Sequence, residues 1–413
     1  MGGSLAQTPD SVIPQTAAPA SQTSRGEAPQ TSPESSDASN DTSSDDASSD
    51  DGAPPVSGTH APSAAPSQHA SNPAAARAPI AQNAGTRYAC RHPAADGYLA
   101  CDAIVQGAGV PTRGAACSRS APYCASDLQA AYGLTQTSRG AGRGATVAVV
   151  VAYGYPDAAG DLAIYRRNMG LPACNASSGC FKIVNQRGRA TALPKPNADS
   201  GDDWRPEGAL DLDVASAICP NCKLLLVQAN SDKSSDLAAA VNAAASLGAG
   251  SIANGYGGVE QRGSDSAYRH PGRAITASVG DAGGGVQMPC AYASVVCVGG
   301  TSLAATGSGW SERVWHAVAS TCSAVVAKPS WQHGTNCKTR AVPDVAAVAD
   351  PATGVAVYES AGGGWLKMGG TGASASIVAA LFALGPAAAR SNAPQWMWRH
   401  GASHRVGDVK RGF

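Results

Sequence analysis

The stretch "ATVAVVVAYGYP" at residues 145–156 decides the fold of this chain. Its apolar residues follow one another without the polar alternation of a half-exposed strand, as is typical of a parallel strand buried on both faces. An amphipathic segment, "DAAGDLAIYRRNMG" at 157–170, follows directly and predicts a helix. A buried strand that leads into a helix is the repeating unit of α/β proteins.

The same alternation continues toward the C-terminus. Helices are predicted at 206–218 and 234–249, and strands at 222–230, 251–258, 273–285 and 294–303. We therefore expect an α/β domain with a doubly wound, mostly parallel sheet and helices on both faces. In such sheets the ligand crevice lies at the carboxyl ends of the strands.

The first part of the chain has a different composition. Residues 1–85 consist largely of Ser, Asp, Pro, Ala and Thr, so they cannot bury enough apolar surface to offset the conformational entropy of folding. We expect a disordered tail there, a Cys-rich N-terminal extension at 86–124, and a main domain at 125–413. The net charge of zero gives no indication of nucleic-acid binding.

Twelve cysteines indicate disulfide bonds and an oxidising compartment. Cys219 and Cys222 have the spacing of half a zinc site, but no second pair follows at a suitable distance, so a local disulfide is favoured. The N-terminus has neither the basic nor the apolar region of a signal peptide. Because of the cysteines we nevertheless expect a secreted or periplasmic protein. No apolar run approaches the roughly 20 residues of a membrane span.

Two acidic residues on the helix predicted at 206–218 are candidates for acid–base chemistry. Glu207 and Asp211 are four residues apart, so their carboxyl groups share one face of the helix and can meet. Two carboxyl groups in contact separate their pKa values, which lets one act as a base while the other orients it. The alternative is a solvated acidic face, which the third acid, Asp213, would extend.

Two further motifs lie near the ends of predicted elements. Asp281 follows an apolar strand, at the edge where α/β sites form, although an acid before glycines is also a common turn residue. The segment "GGTGASAS" at 369–376 is a Gly-rich turn that leads into a helix of small residues. Taken alone, this segment also fits an anion-binding nest at a helix N-terminus.

In order along the chain, these pieces form a pattern. The helical Glu-x-x-x-Asp is followed by "NGYGG", "HPGRAITASVGDAGGG", "PCAYASVVCVGGTSL", "KPSWQ", "PDVAAVADPATGVAVY" and "GGTGASAS". From about Ala125 to the C-terminus, this series closely resembles the sedolisin family of serine-carboxyl peptidases, in particular its bacterial branch. The resemblance implies a subtilisin-like fold and serine-type endopeptidase activity on peptides or proteins in acid. We expect a monomer without nucleic-acid or membrane partners.

The resemblance also implies a role for each acid. Glu207 is the base that takes the proton from a serine hydroxyl, and Asp211 holds and buffers that base. Asp281 supplies the oxyanion hole, because a protonated carboxyl group can donate a hydrogen bond to the developing oxyanion.

The chain departs from the family at the nucleophile. The family's Gly-Gly-Thr-Ser turn matches residues 369–372, so Gly372 stands where the serine belongs. Ser374 is turned by roughly 200° along the helix and Ser376 lies more than a turn deeper, so neither is expected to replace it. Because glycine has no side chain to attack a peptide bond, we expect impaired or absent activity. A non-catalytic peptide-binding pseudopeptidase and a decayed gene product are the alternatives.

A second departure concerns calcium. Members of the family bind a calcium ion in a C-terminal loop, and Asp408 and Val409 match the start of that loop. Calcium takes about six to eight oxygen ligands, and the residues after Val409 offer few. We therefore expect a peptidase-like domain truncated at its C-terminus, with weak or no calcium binding.

Overall fold

The computed structural model describes residues 85–92, 94–108, 117–197, 202–281, 283, 285–318 and 320–400. These residues belong to the second of the two units into which the chain divides, Ala70–Phe413. The predicted tail up to residue 84 lies outside the described residues, as do the predicted calcium ligands Asp408 and Val409.

The described part of the chain forms strands and helices in alternation. The strands are β1 (Thr86–Tyr88), β2 (Ala100–Cys101), β3 (Ile104–Ala108), β4 (Thr146–Ala152), β5 (Phe181–Asn185), β6 (Lys223–Ala229), β7 (Ser251–Asn254), β8 (Tyr256–Val259), β9 (Ala274–Ser278), β10 (Gln287–Met288), β11 (Val296–Thr306), β12 (Gly309–Val314), β13 (Thr321–Ala327), β14 (Thr339–Val342), β15 (Val345–Val348), β16 (Val355–Glu359) and β17 (Gly364–Gly369). The helices are α1 (Ala125–Ala131), α2 (Thr135–Gly140), α3 (Ala158–Asn168), α4 (Arg205–Ile218), α5 (Ser234–Ser246), α6 (Thr371–Leu384), α7 (Ala387–Ser391) and α8 (Ala393–His400).

The largest sheet is a mostly parallel α/β sheet, as the sequence predicts. Its strands run in the order β12-β11-β9-β7-β4-β6-β5, and β15 also pairs with β11. Every pairing in it is parallel except that between β11 and β12. Because β5 and β6 lie on one side of β4 while β7, β9 and β11 lie on the other, the sheet is wound in both directions.

Strand β4 is the strand predicted from residues 145–156, and it lies near the middle of the sheet. Six of its seven positions are buried, which requires that helices or loops cover both faces. Val149 pairs with Leu226 on one side and with Ala253 on the other. The backbone of this apolar run thus forms hydrogen-bonded ladders with two neighbouring strands. Its side chains pack into the core on both faces of the sheet.

Helices α4 and α6 pack against each other over the central strands. Helix α4 contacts β4, α6 contacts β7, β9 and β11, and α5 packs on β4 and β6. Helix α6 is buried at nearly every position, as expected of a helix that is apolar on all sides. No helix in the described part of the chain is both long and apolar enough to cross a membrane.

Part of the Cys-rich segment at 86–124 is built into the sheets of the domain. Strands β1 and β3 extend a sheet in the order β1-β3-β17-β16. Strand β2 pairs antiparallel with β8. The segment therefore joins two different sheets within a few residues.

Disulfide bonds are present, as the cysteine pattern predicts. They link Cys90–Cys101, Cys117–Cys124, Cys174–Cys180, Cys219–Cys222, Cys290–Cys297 and Cys322–Cys337. Each joins cysteines at most 15 residues apart in sequence, so each closes a local loop. Cys219 and Cys222 are bonded to each other, in agreement with the disulfide interpretation rather than the zinc one.

A buried ion pair fixes the turn between β14 and β15. The side chains of Arg340 and Asp344 are 0% exposed, and their nearest N and O atoms lie 2.5 Å apart. Asp344 Oδ2 also accepts the backbone N–H of Cys297 at 2.9 Å. The pair therefore joins this turn to β11 in the main sheet.

We predict that Asp344→Ala destabilises the fold by about 3–5 kcal/mol, because it leaves the guanidinium of Arg340 buried without its counterion. Asp265→Ala is the matched control, since Asp265 also pairs with an arginine four residues away, Arg269, whose side chain is 64% exposed. The control substitution should lower the free energy of unfolding by at most about 1 kcal/mol. Urea unfolding of both variants measures the difference, and equal costs would contradict the prediction.

Candidate active site

Four acidic side chains meet where the central strands end and helix α6 begins. Glu207 and Asp211 come from α4, Asp281 follows β9, and Asp102 lies between β2 and β3. All four residues are 0% exposed, and the other three acids each raise the pKa of Glu207. The structure thus brings together the three acids predicted from the sequence and adds a fourth.

Glu207 and Asp211 are neighbouring buried carboxyl groups, and none of their four carboxyl oxygens has a hydrogen-bond partner in the described part of the chain. Burial, followed by the neighbouring Asp211, raises the pKa of Glu207 well above its usual value. Burial also raises the pKa of Asp211 to about 8. Because burial disfavours the charged form of both carboxyl groups, a proton on the pair is favoured.

The alternative of a solvated acidic face on α4 is wrong, because all three of its acids are buried. The carboxylate of Asp213 accepts the backbone N–H of Tyr358 at 2.9 Å. This bond ties α4 to β16. A carboxylate at this position therefore satisfies a backbone donor instead of facing solvent.

Asp281 is held by the first residue of helix α6. Its Oδ1 accepts the backbone N–H of Thr371 at 2.7 Å and the Thr371 hydroxyl at 2.8 Å. Its Oδ2 is buried and has no hydrogen-bond partner. Burial raises the pKa of Asp281 well above its usual value. A proton is therefore favoured on this carboxyl group, and Oδ2 is the atom free to carry it.

Gly372 lies directly beside the carboxyl pair. A Cβ built on Gly372 would overlap Glu207 Oε1, and one built on Gly255 would overlap the same oxygen. The carboxyl group of Glu207 therefore fills the gap between two glycine Cα atoms. A side chain at position 372 would point at the group that the sequence predicts as the base.

Neither nearby serine takes the place of a side chain at position 372. The hydroxyl of Ser374 donates to the Thr371 carbonyl at 2.8 Å, which occupies its proton within the helix. Ser376 is buried beside Asp211. Both hydroxyl groups are fully enclosed by the core.

The turn before α6 does not act as an open anion nest in this structure. Two of its backbone N–H groups are already used, that of Thr371 by the Asp281 carboxyl group and that of Gly372 by the carbonyl of Asp102. The partners of this helix N-terminus are thus groups of the chain itself. Gly370 has a φ of 108°, a conformation that glycine adopts without steric cost.

Asp102 is the site residue that the sequence analysis missed. Its Oδ2 accepts the hydroxyl of Ser278 at 2.5 Å, and its Oδ1 lies 3.9 Å from His92 Nε2. Its carbonyl accepts the N–H of Gly372 at 3.0 Å. Burial raises the pKa of the Asp102 side chain to about 7.

No local pattern in the sequence indicates Asp102. It precedes the region of family resemblance and is not spaced from another acid in a recognisable motif. In the structure it directly follows Cys101, whose disulfide with Cys90 fixes the path of the segment.

A candidate metal centre is not evident among the described residues. One grouping of possible ligands occurs there, Cys117, Cys124 and Asp127, but the two cysteines form a disulfide and so offer no thiolate. The predicted calcium ligands Asp408 and Val409 lie outside the described part of the chain.

Comparison with known proteins finds a curated relative. Kumamolisin from Bacillus sp. (strain MN-32) is 30% identical over 226 residues, which are 45% of this chain and 41% of kumamolisin. The chain therefore matches about two fifths of the length of that curated relative. No family model matches the chain.

A solved structure shares the fold. Pseudomonas sedolisin, a serine-carboxyl proteinase complexed with two molecules of pseudo-iodotyrostatin, superimposes with a TM-score of 0.58 and 21% sequence identity. The match covers 69% of this chain and 86% of the sedolisin chain. The chain therefore shares the subtilisin-like fold of Pseudomonas sedolisin and is similar in sequence to kumamolisin over part of its length.

Proposed function

We propose that this chain is a serine-carboxyl peptidase homologue that binds peptides in its cleft and does not cleave them through position 372. The observation that carries the proposal is the contact between the Glu207 carboxyl group and the Cα of Gly372. At this position a base and a nucleophile would be neighbours, and the nucleophile's side chain is absent. The family's acid-pH endopeptidase activity is thus impaired or lost in this chain.

The positions of the acids support this proposal. In the proposed site Glu207 takes a proton from a hydroxyl group at position 372, and Asp211 holds that carboxyl group and shares its proton. Without a hydroxyl group, the pair has no proton to remove and no ester can form. The site then consists of buried acids and of the backbone N–H groups at the start of α6.

Asp281 and the start of α6 supply the second half of the machinery. The N–H of Gly372 donates to the Asp102 carbonyl oxygen, and a Cβ built on Gly370 would lie 2.1 Å from that oxygen and 2.7 Å from the unpartnered Asp281 Oδ2. A neutral carboxyl group beside a backbone N–H can stabilise a carbonyl oxygen that becomes negative. Because that task requires the protonated form of Asp281, the site suits acidic solution.

The disulfides support an extracellular or periplasmic location for this binding protein, because local disulfides persist in oxidising compartments. The intact set of buried acids argues against a decayed gene product. Four desolvated carboxyl groups are costly to keep, and the described chain packs a complete core around them.

We predict that Gly372→Ser creates peptidase activity at about pH 4, while the natural chain shows none. The expected difference is large, because removing the nucleophile from a comparable site costs on the order of a million-fold in rate. Gly372→Ala is the matched control for the added Cβ, which also displaces Glu207 Oε1. Gly372→Ser combined with Glu207→Gln should again be inactive.

The measurement is cleavage of a mixed peptide library followed by mass spectrometry. Cleavage by the natural chain would contradict our assignment of position 372, and Ser374→Ala would then identify the serine responsible. Cleavage by neither the natural chain nor the serine variant would contradict the proposal that the acids still form a working site.

We further predict that the fold is more stable in acid than in base. The folded pKa values of the four acids are raised, to about 7 for Asp102 and about 8 for Asp211. The folded chain therefore keeps protons that the unfolded chain releases near pH 4, so the free energy of unfolding falls between about pH 4 and pH 8. Each proton that only the folded chain retains lowers the free energy of unfolding by about 1.4 kcal/mol for every unit by which the pH rises.

Thermal unfolding at several pH values tests this dependence. Asp211→Asn should flatten the profile, because an amide has no proton to lose. Asp157→Asn, at an exposed position, should leave it unchanged. A natural chain whose melting temperature rises from pH 4 to pH 8 would contradict the prediction.

A further inference from the structure

The charged residues at one end of the main sheet are all basic. Strands β4, β5, β6, β7 and β9 run parallel, so the segments that lead into them lie at one edge, opposite the edge that carries the candidate active site. With the chain that follows α6, these segments are residues 139–145, 166–180, 219–223, 247–250, 269–273 and 385–392. They contain no aspartate and no glutamate.

Three basic side chains lie together at the start of β4 and β6. Arg139 and Arg143 belong to the segment before β4, and Lys223 is the first residue of β6. The N–H of Lys223 donates to the Ala145 carbonyl at 2.8 Å, and the Asn221 side chain donates to the Arg139 carbonyl at 3.1 Å. All three basic side chains are exposed, so the two adjoining segments present three positive charges to solvent.

Two arginines continue this positive surface toward β7 and β9. The guanidinium of Arg273 donates to the Ala249 carbonyl. Arg390 Nε would lie 3.5 Å from a Cβ built on Gly250. Because the N–H of Gly250 donates to the carbonyl of Thr146 at 3.0 Å, both arginines adjoin the group at the start of β4.

The last turn of α3 adds one more exposed cation, Arg167. The neighbouring Arg166 is buried and donates from Nη2 to the Pro220 carbonyl at 2.7 Å, which holds this end of α3 against the segment before β6. Arg269 is left out because it pairs with Asp265. We name the remaining set the basal face: Arg139, Arg143, Arg167, Lys223, Arg273 and Arg390.

The basal face has no acidic counterions within the part of the chain that the structure describes. None of its six basic side chains takes part in an ion pair there. At the opposite edge, by contrast, the segments that follow β4, β5 and β6 carry Asp157, Asp202, Asp203, Asp232 and Asp236. The net charge of zero therefore conceals a separation of charge, and a surface of one sign attracts polymers of the other sign.

The distribution of these charges indicates the kind of partner. The basal face is spread over several segments, so a small anion could contact only one or two of its cations, whereas a polymer with repeated negative groups could contact many at once. Guanidinium groups match carboxylate and sulfate groups geometrically. Leu247 is the one large apolar side chain that is exposed in these segments, whereas binding at a lipid surface requires an apolar face.

We propose that the basal face binds an acidic polysaccharide outside the cell, and that the bound protein presents its candidate active site away from that polymer. The choice of an extracellular polymer rests on the location proposed above. The binding itself requires neither a nucleophile nor a peptide in the cleft. Exposed ion pairs are individually weak, so the affinity depends on several contacts at once and falls as salt screens them.

Binding of the full chain to alginate, a polymer of carboxylated sugars, tests the proposal. The natural chain should bind at about 0.05 M NaCl and be released at about 0.5 M, because the added salt shortens the range of charge attraction. The test variant replaces three exposed cations of the basal face: Arg139→Gln, Arg143→Gln and Lys223→Gln. The control variant removes the same total charge at exposed positions elsewhere: Arg87→Gln, Arg187→Gln and Arg313→Gln.

The test variant should bind alginate about tenfold or more weakly than the natural chain, because three contacts are lost. The control variant should bind like the natural chain, which separates the basal face from the effect of net charge. Neutral dextran should bind none of the three proteins. Dextran sulfate in place of alginate shows whether sulfate or carboxylate is the preferred group, and weaker binding by the test variant alone supports the proposal with either polymer.

Chemical labelling locates the bound polymer without any substitution. Alginate should slow the acetylation of Lys223 several-fold. It should leave unchanged the acetylation of Lys233, an exposed lysine that follows β6 at the opposite edge of the sheet. Mass spectrometry of the labelled peptides measures both rates. Equal protection of the two lysines would contradict binding at the basal face.

Three results would overturn the proposal: equal binding by the test and control variants, no binding of either acidic polymer, or tighter binding to vesicles of phosphatidylglycerol and phosphatidylcholine than to both polymers. The last result would assign the basal face to a membrane surface instead. Melting temperatures of both variants show that each is folded. Peptide binding in the cleft is measured separately, so failure of the polysaccharide proposal leaves the proposed function untouched.

Discussion

The structure around the site depends on four carboxyl groups that are buried together out of contact with solvent. Glu207, Asp211, Asp281 and Asp102 are fully buried, and burial is the largest cause of each raised pKa. An isolated ionised carboxyl group would be very costly there, so protonation is the less expensive outcome. The arrangement of α4, β9 and α6 is consequently tied to the protonation state of these groups.

The acids also lie very close to the backbone of neighbouring segments, and glycine residues at those points make this approach possible. Gly255 and Gly372 allow Glu207 to reach the helix N-terminus, while Gly370 places the turn against Asp102 and Asp281. Any side chain at these positions would displace one of the acids. The same residue that removes the nucleophile therefore also permits the present packing of the base.

Much of this architecture could be predicted from sequence. The apolar run at 145–156 and the helix at 206–218 gave the sheet and the Glu207–Asp211 pair, because periodicity and spacing are local properties. Asp281 was found because acids at strand ends collect at one edge of a parallel sheet. These features follow from short segments of chain.

The rest depends on contacts between distant segments. The acids of α4 are buried in the structure and do not form a solvated face, and spacing alone cannot distinguish these two arrangements. Asp102 enters the site because β2 pairs with β8 and β3 pairs with β17. Such pairings depend on the register of strands far apart in sequence, which no pattern within residues 86–124 reveals.

The covalent attachment of residues 98–102, which pair with β8 beside the site, has a consequence for the binding of free peptides. A ligand tethered by a short segment is present at an effective concentration in the millimolar range or above, whatever the amount of protein in solution. Even a segment with weak intrinsic affinity would then keep the cleft filled. The Cys90–Cys101 disulfide narrows the volume that the segment can explore, which increases that local concentration further. Free peptides thus compete with a neighbour that dilution does not remove.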